Sequence, residues 1–194
     1  MGAIFSLCRR SAPAAAAALW LAACGGLGKV EQGIVIAADG EVLTLILDSN
    51  PGGEPRYDRL PPVKVRIPED PDQMGPAPAA GELLGLDTAA GRVAVYDRAA
   101  GRILTIRFEL VELTGGVYPD DPRVNGGRLP RIDEQRGAVT LYWPRTRELA
   151  TIRVDPKYLR LPPDTWRAGD EVRYYFKDPG RALRMMNVSK AGLQ

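Results

Sequence analysis

The sequence predicts an all-β protein, and three kinds of observation support this fold class. After Gln32, short runs rich in Val, Ile, Leu, Thr and Tyr are separated by Gly, Pro and Asp, and helical periodicity is hard to find. Apolar and charged residues alternate in 63–67 and 151–154, as in strands with one buried face. Residues 39–40, Asp-Gly between two apolar runs, are a strong signal for a short hairpin turn.

The predicted strands and turns follow one another along most of the chain. Turn-forming residues recur at 97–101, 143–147 and 177–180, where Gly or Pro suits the backbone of a tight turn. Between such turns, the runs with strand composition include residues 34–36, 41–47, 63–67, 83–86, 92–96, 103–113, 138–143, 149–154, 171–176 and 182–188.

An internal duplication groups these strands. The sequence Ala-Gly-acid occurs at 80–82 and again at 168–170, and in both places a Gly-Arg pair follows after a similar interval, at 91–92 and 180–181. Each copy also follows a proline-containing loop and a strand-like run. We therefore expect the chain to contain two related β units.

The predicted boundaries follow from this duplication. We expect a first β module at 33–113, a linker at 114–128 and a second β module at 129–190. The modules are predicted to be two tandem small β-barrel-like units of the OB or SH3-like kind, after a helical signal peptide. One continuous antiparallel β-sandwich is the alternative.

Residues 1–23 have the features of a lipoprotein signal peptide. Arg9 and Arg10 precede an apolar, alanine-rich stretch of about twelve residues, which is too short for a bilayer span of roughly twenty. The stretch ends in the sequence Leu-Ala-Ala-Cys-Gly, in which Ala23 and Cys24 would flank the cleavage point. We expect a diacylglyceryl group on the Cys24 thiol; an ordinary signal peptide is the alternative.

The residues after the predicted cleavage point suggest a location. Residues 24–32 are predicted to form a short tether that holds the folded part close to the bilayer. Gly25, rather than aspartate, follows Cys24. In a cell with two membranes, this predicts the outer membrane, with the protein on its periplasmic face.

Composition excludes several classes of site. The chain has no histidine and only two cysteines, Cys8 and Cys24. Histidine-dependent catalytic triads, histidine or cysteine zinc sites and structural disulfides are therefore not expected. Of the 26 basic residues, Arg9 and Arg10 belong to the signal, so the remainder match the 24 acidic residues in number. This balance argues against nucleic-acid binding, and no cofactor is predicted.

Several side chains are candidates for a site, each with a structural interpretation beside the functional one. Asp120 and Asp121, with Asp133 and Glu134 further on, could bind calcium or act as paired carboxylates, although a solvated loop is the preferred interpretation. Aromatic side chains in the second module could be core or exposed binding anchors, and basic side chains on the last strand could form a docking stripe. These possible binding residues are Tyr142, Trp143, Trp166, Arg181 and Arg184.

Longer stretches of the chain resemble a known but uncharacterised family. Together, residues 28–33, 60–63, 74–76, 161–173 and 179–188 resemble lipoproteins of anaerobic, sulfate-reducing bacteria that are defined only by a domain of unknown function. The resemblance covers nearly all of the chain after Cys24. It implies a cell-envelope location and carries over no catalytic residues.

The leading functional hypothesis is a non-enzymatic, lipid-anchored envelope protein whose β modules bind another protein or an envelope component. Two alternatives come from other classes. A carboxylate-dependent hydrolase of envelope glycans would need two of Asp120, Asp121, Asp133 and Glu134 in one cleft. A small-ligand or calcium-binding protein is the third possibility.

Overall fold

The computed structural model describes residues 27–127 and 129–191, which form an almost entirely β structure. A single helix of four residues, α1 (Pro122–Asn125), lies in this part of the chain, with 3-10 turns at Pro71–Gln73, Pro156–Arg160, Pro163–Trp166 and Val188–Lys190. The strands are β1 (Lys29–Ala38), β2 (Val42–Asp48), β3 (Tyr57–Arg66), β4 (Leu83–Asp87), β5 (Arg92–Asp97), β6 (Arg102–Arg107), β7 (Glu109–Thr114), β8 (Arg131–Asp133), β9 (Ala138–Trp143), β10 (Glu148–Arg153), β11 (Glu171–Phe176) and β12 (Arg184–Asn187).

The strands form three antiparallel sheets, which confirms the all-β class. Sheet 1 has the order β12-β11-β1-β2-β3, sheet 2 the order β4-β5-β6, and sheet 3 the order β7-β10-β9-β8. None of these sheets closes into a barrel within the described residues, and a sandwich-like arrangement fits them. The barrel-like form expected of the modules is therefore replaced by the sandwich-like alternative.

Strands of the two predicted modules pair with each other, so the modules do not form separate sheets as expected. In sheet 1, β1 from the first predicted module pairs with β11 from the second, with Gly33 opposite Val172. In sheet 3, β7 pairs with β10, again across the predicted linker. Strand pairing depends on which apolar faces meet in the folded chain, so two similar sequence units need not fold side by side as separate sheets.

Two local boundaries also differ from those predicted. The predicted tether at 24–32 ends earlier, because Lys29 already begins β1 and faces Phe176 of β11. The run at 103–113 is two strands rather than one. Phe108 lies between them, where the chain leaves sheet 2 and enters sheet 3, and its backbone N–H donates to the carbonyl of Gly91.

Sheet 1 is apolar on both faces and therefore separates two clusters of buried side chains. On one face, Ile34, Ile36 and Ile46 contribute to the larger cluster, which includes buried residues of sheets 2 and 3. On the other face, Val35, Leu45 and others form a smaller cluster. This alternation explains why β1 and β2 read as nearly continuous apolar runs: stiff β-branched side chains suit a strand buried on both sides.

The sheet curls around the smaller cluster. The Arg66 N–H donates to the Gly180 carbonyl at 2.8 Å, and the Ala182 N–H donates to the Arg66 carbonyl at 3.0 Å. These two bonds bring the end of β3 to the segment that precedes β12, at the opposite edge of the same sheet. The smaller cluster is thus enclosed without a continuous strand ladder.

The two Ala-Gly-acid motifs lie against each other in the fold. The Gly81 N–H donates to the Val35 carbonyl at 3.0 Å, and the Val35 N–H donates to the Asp170 carbonyl at the same distance. The motifs are joined directly as well, because Asp170 donates its N–H to the Ala79 carbonyl at 2.9 Å. The duplicated sequence therefore marks a junction between the two halves of the chain.

Glycine is required at this junction by close approach of the backbone. A Cβ atom on Gly169 would lie 2.0 Å from the Val35 carbonyl oxygen and 3.0 Å from both the N and O atoms of Gly81. On Gly81, a Cβ atom would lie 2.2 Å from the Arg167 carbonyl oxygen. The two glycines thus allow three backbone segments to meet within hydrogen-bonding distance.

The motif acids bind the surrounding elements. Glu82, which is buried, accepts from Arg98 at 2.8 Å and from the Thr165 hydroxyl at 2.9 Å. Asp170 accepts from the Asn187 side chain and the Ala79 N–H, both at 2.8 Å. Because charge-assisted bonds to carboxylates are among the stronger hydrogen bonds in proteins, we assign these acids a role in fixing the junction.

Candidate functional site

The tryptophans proposed as possible binding residues belong to the core. Trp143 and Trp166 are buried in the larger cluster, and Trp166 is 0% exposed. Tyr142 is half-buried and donates its hydroxyl to the Val117 carbonyl at 2.9 Å. The binding interpretation is therefore corrected for both tryptophans, because neither ring is available on the surface as an anchor.

Trp166 also borders a cavity of about 360 Å³ whose walls include three prolines and Tyr142. Its indole N–H is buried and has no hydrogen-bond partner among the described residues. Buried indole N–H groups usually have a partner, so this donor is unusual.

The basic residues of the last strand behave as alternation predicts. Arg184 and Met186 are exposed, whereas Met185 between them is buried. Arg184 donates its Nε to the Gln73 side-chain oxygen at 2.9 Å. Arg181, which precedes the strand, forms an ion pair with Glu69 at 2.8 Å. Arg184 borders an apolar surface groove, but Arg181 does not line it.

The candidate acidic residues have local structural roles. The Asp121 carboxylate caps α1 by accepting the Arg123 N–H at 2.9 Å, and it also accepts from the Arg123 guanidinium. These interactions, chiefly the side-chain bond, lower the pKa of Asp121 to about 2. A general acid would need a pKa shifted in the opposite direction.

The remaining acids do not extend this group into a recognisable site. Asp133 ends β8 and accepts the Arg136 N–H at 3.0 Å, while Asp120 and Glu134 are exposed. Within residues 27–127 and 129–191, no three His, Cys, Asp or Glu side chains are grouped as a metal site would require. The hydrolase and calcium hypotheses thus gain no structural support at these positions.

The predicted acylation site cannot be placed in the fold. Ala23 and Cys24 lie outside the described residues. In the part of the chain that the structure describes, no helix is long and apolar enough to cross a membrane.

A polar network that the sequence did not indicate ties sheet 1 to the turn between β9 and β10. Arg145 in this turn forms an ion pair with Glu171 of β11 and donates to the Tyr57 hydroxyl at 3.2 Å. Gln32 of β1 donates to the same hydroxyl at 3.1 Å. Burial raises the pKa of Tyr57 well above its usual range, and the negative charge of Glu171 acts in the same direction. The network therefore favours a neutral tyrosine beside a paired carboxylate.

Stability is expected to fall as pH rises above about 10, the ordinary tyrosine pKa. Burial raises the pKa of both Tyr57 and Tyr174 in the folded state. The unfolded chain then loses these protons at a lower pH than the folded one, so each tyrosine adds up to about 1.4 kcal/mol of lost stability per pH unit. Below about pH 10, both the folded and the unfolded state keep these protons, and the two tyrosines contribute their full stabilisation.

Urea unfolding measured from about pH 8 to about pH 11, a range that brackets the ordinary tyrosine pKa, would show this loss of stability. Tyr57→Phe should reduce the slope of stability against pH, whereas the exposed Tyr118→Phe serves as the control. An unchanged slope in Tyr57→Phe would show that this hydroxyl titrates equally in both states.

Strand β7 presents an exposed edge with apolar side chains. It is the outermost strand of sheet 3, and among the described strands it pairs with β10 alone. The side chains of Leu110, Val111 and Leu113 are 39, 49 and 42% exposed. Such an edge is a template for pairing with another strand, and charged or proline residues usually block it.

A second exposed apolar area lies on sheet 1, near the start of β1. Val30, Leu183 and Met186 are 60, 41 and 43% exposed and line a groove of about 670 Å³ with Tyr175. Arg173 and Arg184 are the charged residues of this groove. We call the apolar side chains and the two arginines the β1–β12 patch.

Sequence reasoning missed the β7 edge and, apart from Arg184, the β1–β12 patch. Most of their residues were included in predicted strands, where apolar side chains are expected to be buried, and Val30 was assigned to the predicted tether. The available signal was the sequence of 109–114, in which Leu110 and Val111 are adjacent and so point to opposite faces. A strand at an edge, unlike one in the middle of a sheet, can leave both faces partly open.

Comparison with known proteins identifies the family of the chain and no characterised relative. A family described as "Domain of unknown function (DUF4881)" matches residues 26–193. No curated protein and no solved structure matches the chain.

Proposed function

The chain belongs to the DUF4881 family, a domain of unknown function, and we propose that it is a lipid-anchored adaptor of the cell envelope that binds a partner protein. The lipid would be carried by Cys24, at the end of an apolar stretch preceded by Arg9 and Arg10. Gly25 favours the outer membrane and its periplasmic face. The partner would be another envelope protein.

The exposed edge of β7 is the observation that carries the binding role. An extended segment of another protein can add to such an edge through main-chain hydrogen bonds, with alternate side chains giving specificity. The three exposed apolar residues on β7 would be covered by such a segment. Because the contacts would be mainly backbone to backbone, the edge needs no catalytic group to act.

The chemistry of β7 indicates what kind of segment would fit. Glu109 and Glu112 are exposed, and Glu109 pairs with Arg153 of the neighbouring strand at 2.7 Å. Glu112 forms no ion pair among the described residues. A partner strand that alternates apolar and basic residues would bury the former and pair with Glu112.

Val111→Lys is expected to abolish partner binding while leaving the fold intact. A lysine on an edge strand repels or sterically obstructs an added strand, and the position is already largely exposed. A photo-crosslinking residue at position 113 in intact cells should yield one specific adduct, and this adduct should disappear in Val111→Lys. The crosslinked peptide should map to an extended segment of the partner.

The matched control is Leu60→Lys, which places the same charge at another exposed apolar position of a strand. It should leave the adduct unchanged. An adduct that persists in Val111→Lys, or that Leu60→Lys removes equally, would contradict binding at the β7 edge.

A further inference from the structure

We propose that the β1–β12 patch is the face through which the anchored protein lies on an anionic phospholipid bilayer. The patch occupies one face of sheet 1. In the register of this sheet, Val30 lies opposite Tyr175, Tyr175 opposite Arg184, and Arg173 opposite Met186. Val30, Tyr175 and Met186 therefore share one continuous surface with the two arginines. This inference rests on the lipid anchor proposed above.

The same face of sheet 1 is buried further along the strands. Ile34 and Ile36 of β1 lie in the larger cluster, whereas Val30 on the same face is exposed. Sheets 2 and 3 thus cover one end of the face and leave the other open. A single isolated apolar residue on a surface is ordinary, but a contiguous group with a groove beside it indicates something that covers it.

The charges of the patch match those of a lipid surface. Arg173 donates to the Gln32 side-chain oxygen at 2.9 Å, and Arg184 donates to that of Gln73 at 2.9 Å. Among the described residues, neither arginine pairs with a carboxylate. Each guanidinium has five donor hydrogens, so both can still bind phosphate oxygens of lipid headgroups. Apolar side chains beside basic ones are typical of surfaces that lie in the bilayer interface.

The path of the chain brings the anchor to this surface. Gly28 lies against the ring of Tyr175 so closely that a Cβ atom on it would be 2.3 Å from the ring. The chain thus leaves the fold directly over the patch. Gly28 is four positions along the chain from Cys24, a reach of at most about 14 Å. A lipid on Cys24 would therefore insert beside the patch and hold it at the membrane.

The proposal can be tested by the depth of a reporter side chain in vesicles. The full chain would carry Cys8→Ser and either Met186→Trp in the patch or Val111→Trp on β7 as the matched control. Cys24 would be acylated by the cell or coupled to a maleimide lipid, so that the tether is the same in both cases. The vesicles would be phosphatidylcholine with brominated acyl chains, with or without phosphatidylglycerol.

The emission of the native tryptophans is subtracted by measuring the protein without the added one. We then expect bromine to quench the fluorescence of the tryptophan at position 186 roughly twofold more than that at position 111, and only with the anionic lipid present. Arg173→Glu combined with Arg184→Glu should remove this difference, as should high salt. Equal quenching at both positions, or quenching indifferent to anionic lipid, would overturn the proposal and leave the patch to a protein partner.

The proposed anchor is judged separately from the same preparation. Mass spectrometry of the cell-derived protein shows whether Cys24 is acylated. If it is not, the envelope function fails, while the maleimide-coupled protein still decides whether the patch binds the bilayer.

Discussion

Gly169→Ala is expected to lower the free energy of unfolding by about 3 kcal/mol, near the upper end of the usual cost of overpacking. The added Cβ atom would lie 2.0 Å from the Val35 carbonyl oxygen, a distance that non-bonded atoms do not reach. The obstructing atoms are all backbone. Because Val35 and Gly81 are held by hydrogen bonds to neighbouring segments, the clash cannot be relieved by rotating a side chain.

Gly81→Ala should have a comparable effect, since its Cβ atom would lie 2.2 Å from the Arg167 carbonyl oxygen. Gly85→Ala is the matched control: this glycine lies in β4, lacks a positive φ, and its nearest neighbour would be Ala94 Cβ at 3.9 Å. Chemical denaturation of the three variants measures the difference. A Gly169→Ala protein within about 0.5 kcal/mol of the original would contradict the close packing of the two motifs.

Trp166→Ala should cost about 4 kcal/mol of stability, because it removes the largest fully buried side chain from the larger cluster. The larger cluster draws its residues from three sheets, so we do not expect it to close fully over the space left by the indole. The effect tests the core role of Trp166 against a binding role, since loss of an exposed anchor would weaken binding and leave stability nearly unchanged.

Trp166→Phe separates ring packing from the indole N–H. This N–H has no acceptor among the described residues, so removing it breaks no hydrogen bond. We therefore expect a clearly smaller loss than with alanine, set by the lost ring volume. Thermal or urea unfolding of both variants is the measurement. If the phenylalanine variant is as unstable as the alanine variant, the N–H has a partner that the contacts described above do not include.

Part of the fold could be predicted because it depends on neighbouring residues. The hairpin between β1 and β2 follows from the turn residues Asp39 and Gly40, and the φ of Gly40 is 90°. The alternation of exposed and buried side chains in β12 follows from the pattern around Met185 and Met186. The break at Phe108 could not be predicted. Residues 103–113 contain no Gly, Pro, Asn or Asp to mark a break, and the strand is broken because its two halves join different sheets.

The candidate surfaces were less predictable than the strands, since exposure depends on what the rest of the chain covers. Trp143 and Val111 are both apolar strand residues, yet one is buried and the other lies on an open edge. Likewise, Arg145 and Glu171 showed no sign in sequence of being paired.

By itself, the sequence determined that this protein is all-β, where most of its strands and turns lie, and that its two halves share a motif. These properties are local, because side-chain alternation and turn chemistry act over a few residues. The tertiary structure alone decided that the halves interleave, that their motifs meet, and which apolar residues remain exposed. The physical reason is distance along the chain: contacts such as that between Gln32 and Arg173 join residues 141 positions apart, and no local pattern specifies such a pairing.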